Sequence, residues 1–137
     1  MGPGTRVFEV DCGDGAFLFA LDQNGYIVGG TDGDPHAIAR AIAAMPDGLF
    51  QVGTASALDP AVPWDVIVCR SFAGAPDVDY MRGVLARMFA KATHAIAVLD
   101  VPAERQQWML HALTEIGANA IQMENATAEM FHVFARV

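Results

Sequence analysis

The sequence predicts an α/β fold: a doubly wound, mostly parallel sheet of seven strands with helices on both faces. Three observations predict it. Short apolar runs alternate with stretches of helical periodicity along most of the 137 residues, the order that builds parallel βαβ units. One run, Trp64-Asp65-Val66-Ile67-Val68-Cys69, is almost continuously apolar, as suits a strand buried on both faces. The last two runs, 120–123 and 130–134, are separated only by residues 124–129, too few for a crossover helix, so they must pair antiparallel.

Each element has a local cause. Val7, Phe8 and Val10 supply the first strand; Gly13 and Gly15 turn the chain with little side-chain obstruction, and Ala16 to Leu21 start a helix behind them. A second strand, 26–31, ends in Asp32. Asp34 caps the next helix with Pro35 at its first position, and Ile38, Ala41, Ile42 and Met45 repeat at helical spacing until Pro46-Asp47-Gly48 stops it. Leu49–Val52 is the third strand and Trp64–Cys69 the fourth, which should be central. Asp77 or Asp79 caps a third helix whose face is Met81, Val84, Leu85, Met88 and Phe89. Strand 95–99 follows. A fourth helix is opened by Pro102, carries Trp108, Met109, Ala112, Leu113 and Ile116, and is closed by Gly117.

Composition narrows the function. The chain reads as one domain over residues 1–137 with a sizeable core. Apolar residues make up 53%, yet their runs are broken by Gly, Pro and Asp and never approach the roughly 20 residues needed to cross a bilayer. Met1-Gly2-Pro3-Gly4 has neither the basic residue nor the apolar tract of a secretion signal. Cys12 and Cys69 lie at strand ends without metal-ligand spacing, so a cytoplasmic protein with reduced thiols and no membrane association is expected. The net charge of −8, with bases spread thinly, argues against nucleic acid as partner and for a small molecule or a protein.

The first strand, the glycine turn and the acid after the second strand carry the functional reading. Unpaired N–H groups at a helix start and missing Cβ atoms let a polar ligand approach the backbone, and Asp32 could accept both hydroxyls of a ribose. A nucleoside-containing cofactor is implied. A dinucleotide fingerprint would need glycine at Asp11, Gly13 and Ala16; the pattern acid-x-Gly-x-Gly-x-Gly falls on Glu9, Asp11, Gly13 and Gly15 and misses only at Asp11. On this pattern, the downstream order and the final hairpin, the chain from about Thr5 to Val137 resembles the class I S-adenosylmethionine (SAM) methyltransferases. The resemblance implies strand order 3-2-1-4-5-7-6 with strand seven antiparallel.

Ligands in such sheets bind beyond the carboxyl ends of the strands, where the order reverses between strands one and four. That places Glu9, Asp11, Cys12, Gly13 and Gly15, then Asp32 and Gly33, then Thr54 and Ala55, and Arg70 around one crevice. By resemblance Gly13 and Gly15 approach the methionine part of SAM, Asp32 holds the ribose, and Thr54-Ala55 lies against the adenine, with Thr54 standing where the family often has Asp. Arg70, Ser71 and Asp100 are the acceptor-side candidates. None of the histidines suits a general base: His94 begins a strand on the wrong edge, His111 is mid-helix, His132 lies within the last strand, and His36 reads as a surface residue. Helices that close over the cofactor in many small-molecule members have no counterpart before the first strand, so the site should be open, covered by a second copy or a partner subunit. The expected activity is methyl transfer to a small molecule or a protein side chain. An accessory subunit with little catalysis is the alternative, and a dinucleotide-linked oxidoreductase comes third.

Overall fold

The computed structural model describes residues 2–54, 62–70 and 77–137. Strands β1 (Arg6–Val10), β2 (Ile27–Asp32), β3 (Leu49–Val52), β4 (Trp64–Cys69), β5 (Ala92–Pro102), β6 (Ile121–Asn125) and β7 (Met130–Arg136) form one sheet. Their order is β3-β2-β1-β4-β5-β7-β6, as expected. The first five run parallel, and β7 is antiparallel to both β5 and β6. Helices α1 (Ala16–Gln23), α2 (Pro35–Ala44), α3 (Val78–Lys91) and α4 (Gln106–Glu115) pack on its faces.

Alternation along each strand sends successive side chains to opposite faces. From β1, Val7 packs with Leu18 of α1 and with Ile38 and Ala41 of α2, while Phe8 and Val10 pack with the α3 and α4 side, where Met81, Leu85, Met109 and Leu113 are buried. β4 is the middle strand of the seven, and its Ile67, Val68 and Cys69 are all buried, which accounts for its apolar run.

The caps resolve the ambiguities the sequence left. Asp34 accepts from the His36 N–H at 2.9 Å with Pro35 at the first helical position. Asp77, not Asp79, caps α3, accepting from the Asp79 and Tyr80 amides at 2.9 and 3.4 Å. Two boundaries differ from expectation. β5 starts directly after α3 and continues to Pro102, because β7 extends alongside it and holds the extra residues in register: Val101 faces Phe131 and Pro102 faces Met130. Pro102 therefore ends a strand, its backbone extended, and the Ala103 N–H donates to the Glu129 carbonyl at 2.8 Å. A single 3₁₀ turn, Ala103–Arg105, intervenes before α4. Gly117 closes α4 with φ +96°, a backbone conformation that favours glycine.

Candidate active site

The order reverses between β1 and β4, and the glycine turn sits at that point. The Cys12 N–H donates to the Thr31 carbonyl at 2.9 Å, carrying the β1–β2 ladder past the end of β1, and the Gly15 N–H returns to the Cys12 carbonyl at 3.1 Å. Asp11, Gly13 and Gly15 all have positive φ, at 55°, 59° and 82°. Gly15 faces inward: a Cβ there would lie 2.5 Å from Cε of Met45 on the α2 side. Gly13 faces outward, and a Cβ there would meet no protein atom within 4 Å. One glycine serves packing; the other leaves open space in front of the turn. Asp11 takes the left-handed conformation although it carries a Cβ, which Asp tolerates better than most residues.

Asp32 ties this turn to the next. Its Oδ2 accepts from the Gly13 N–H and its Oδ1 from the Asp34 N–H, both at 2.9 Å. A carboxylate has about four acceptor positions, so two remain for a ligand. The ribose-holding role and the turn-holding role are compatible on one side chain.

Beneath the turn, Glu9 is fully buried, and its Oε2 accepts from Arg70 Nε at 2.7 Å. Its Oε1 is buried and has no hydrogen-bond partner among the described residues. Burial pushes the Glu9 carboxyl up to about 7; Arg70 pulls against this, while the nearby Asp11 and Asp32 charges add to it. The Arg70 guanidinium also lies 5.0 Å over the Phe17 ring of α1, a cation–π contact. Burial also pushes the Cys12 thiol up to about 12, so Cys12 contributes backbone to the turn while its side chain stays protonated in the core.

Of the other expected site residues, Gly33 is exposed just past β2, and Thr54 is exposed one residue after Gly53, whose N–H donates to the Asp32 carbonyl at 2.9 Å. Ala55 and Ser71 lie outside the described residues. Asp100 is at the carboxyl end of β5, within a register shift between Val98 and Val101, and has φ +57°. Cys69 of β4 is level with Val98, so Arg70 and Asp100 end neighbouring strands. His94 is beside Asp65 at the opposite edge of the sheet, His111 pairs with Glu115 on α4, and His36 is exposed.

Two relations escaped the sequence reading. Arg70 is the partner of Glu9, and a signal existed: Glu9 is an acid within an apolar strand, and a buried acid needs a cation from a neighbouring strand end. His132 is the other. Its Nδ1 accepts from the Asp100 N–H at 3.1 Å, a contact made by a bulge that no local pattern announces.

Among the described residues no helix covers the α1 side of β4, β5 and β7. A cavity of about 330 Å³ lies there, floored by Val66, Ala97, Leu99 and Phe134 and walled by Phe17 and Leu21 of α1. No described helix is long and apolar enough to cross a membrane.

No family model matches the chain, and no curated protein matches it. Solved structures do. Magnesium protoporphyrin IX methyltransferase from Synechocystis, crystallised with SAM, aligns with TM-score 0.78 and 17% identity over 98% of this chain and 70% of that one. A TehB-like SAM-dependent methyltransferase from Corynebacterium glutamicum aligns with TM-score 0.78 and 21% identity over 100% and 82%. An SAM-bound amino pentose methyltransferase from Micromonospora echinaspora aligns with TM-score 0.82 and 16% identity over 97% and 83%. The chain has the class I methyltransferase fold.

Proposed function

We propose that this protein binds SAM in the crevice between β1 and β4 and transfers its methyl group to a small molecule or a protein side chain. The observation that carries the reading is the glycine turn. It occupies the switch point of this fold, with Gly13 open to a ligand and Asp32 braced behind it with acceptor positions left over. The likeness to SAM-bound methyltransferases supports the cofactor. The orphaned Oε1 of Glu9 fits it too, since a buried acceptor without a donor suits an ammonium group or a bridging water. Isothermal titration with SAM, S-adenosylhomocysteine and NAD tests the assignment: heat with the first two and none with NAD is expected, and the reverse would overturn it.

SAM supplies an activated methyl on a sulfonium. The chain's part is to orient and to exclude water. Gly13 and Gly15 would admit the amino-acid end to the backbone, Asp32 would fix the ribose, and Thr54 would offer a hydroxyl to the adenine. Arg70, fixed by Glu9 and Phe17, and Asp100, fixed by His132, would flank the acceptor side. Hydrogen bonds to a charged group contribute roughly 1.5–3 kcal/mol, so Asp32→Ala is expected to weaken S-adenosylhomocysteine binding about ten- to a hundredfold. A loss under about twofold would reduce Asp32 to a turn residue.

Asp11 stands where the family pattern has glycine, and it should oppose the cofactor's carboxylate. The amides of Cys12, Gly13, Gly15 and Ala16 bond to Thr31, Asp32, Cys12 and Asp14, so Asp11 is not what secures those four. Like charges at about 4 Å repel by roughly 1 kcal/mol in water and about 4 at a surface-like dielectric. Asp11→Gly should therefore tighten binding severalfold or more, with a larger gain at low salt. Weaker binding in that variant would mean that Asp11 holds the turn in shape.

A further inference from the structure

We infer that the open groove beside α1 is a binding site for an elongated apolar chain ending in a carboxylate, with the carboxylate on Arg70. The inference goes beyond the methyl-transfer reading, with which it shares Arg70, and its ligand is titrated in the absence of SAM. The groove floor runs four residue steps along β5, from Ala95 to Leu99, or about 13 Å. Its volume, about 330 Å³, is that of a small-ligand site.

A polar group stands just past one end of this apolar lining. Arg70 is two residues beyond Val68, a lining residue of β4, and its guanidinium lies 5.0 Å over the ring of Phe17, a wall of the groove. Glu9 engages only Nε of Arg70, and the Nη groups have no partner among the described residues, while the side chain remains 38% exposed. A guanidinium held by one edge and open at its fork suits a second carboxylate, bidentate. On the far side the floor stops at β6. Gln122, paired with Phe134, and Glu124, paired with His132, are exposed and bonded to each other at 3.1 Å. The apolar strip is thus bounded by α1 and by a polar strand.

A second copy of this chain fits less well, because each copy carries a net charge of −8.

The test is calorimetric titration of the whole chain with decanoate, decanol and decylamine. Decanoate should bind tightest and decylamine weakest, and each methylene removed from the acid should weaken binding about fourfold. Phe134→Glu, at a side chain already 36% exposed, should abolish binding of all three. Glu9→Gln combined with Arg70→Met removes the guanidinium without stranding a buried charge; it should erase the preference for decanoate over decanol and keep decanol binding. Absence of saturable binding, equal affinity for acid and alcohol in the wild type, or indifference to Phe134→Glu would overturn the proposal. So would light scattering that shows a dimer dispersed by Phe134→Glu, because the second copy would then own the groove. Titration with S-adenosylhomocysteine, run in parallel, reports separately on the cofactor crevice.

Discussion

Gly13→Val is expected to abolish S-adenosylhomocysteine binding in a domain that still folds. The two halves of this result have separate causes. A Cβ at Gly13 meets no protein atom within 4 Å, so packing does not forbid the side chain. The cost to the fold is conformational: φ is +59°, and a β-branched residue held there loses about 1–3 kcal/mol, within the stability of an ordinary domain. The open space in front of Gly13 is the space a ligand would use to reach the backbone, and an isopropyl group fills it. Gly15→Val is the control. Its Cβ would lie 2.5 Å from Cε of the buried Met45, whose side-chain end must shift within the core, and φ is +82°, so it should lower the melting temperature more than Gly13→Val does. Binding lost in one variant and stability lost in the other would separate the roles of the two glycines. Wild-type affinity in Gly13→Val would remove the turn from the site.

The second large effect is expected at Glu9. Burial holds its carboxyl at about 7 in the folded protein against 4.5 in the free residue, so the folded state binds this proton more tightly than the unfolded chain. The sign follows from linkage: the Glu9 contribution to stability falls as pH rises from about 4.5 to about 7, and above that it stays lower by about 3 kcal/mol. Glu9→Gln removes the titration. Near pH 8 the variant should melt higher by about 10 °C, and the advantage should shrink to little near pH 4.5. Comparing the two proteins cancels other carboxylates such as Asp65, which the Arg6 amide holds low. The same substitution should weaken S-adenosylhomocysteine binding, because a neutral amide replaces the acid beneath the turn. A variant no more stable at high pH would mean that Arg70 fully compensates the buried charge.

The architecture was legible because it is written in local patterns. The continuous run of β4 announced a central strand, the 124–129 gap announced an antiparallel pair, and Asp34-Pro35 announced the start of α2. The meeting of the glycine turn and Asp32 at the β1–β4 switch point was legible for the same reason, since glycines and acids at strand ends are local signals with a fixed destination once strand order is known. What was not legible depends on register between distant segments. The Arg70–Glu9 pair spans 61 positions, and the Asp100–His132 bond spans 32 and requires a bulge. The ends of β5 and α4 were missed because Pro102, a common helix opener, is held extended by β7, and helix preference yields to tertiary pairing.

The position of β7 also governs the order in which the sheet can assemble. Among the described strands β6 pairs only with β7, which separates it from β5. During synthesis, β6 emerges with no place of its own on the growing edge, and it must wait for a strand that the ribosome has not yet delivered. Strands β1 to β5 can pair as they appear, but the outer third of the sheet closes in one late step that adds the hairpin as a unit. Until then the β5 edge is unpaired along its length, which is the interval in which a nascent chain is most exposed to strand addition by another molecule.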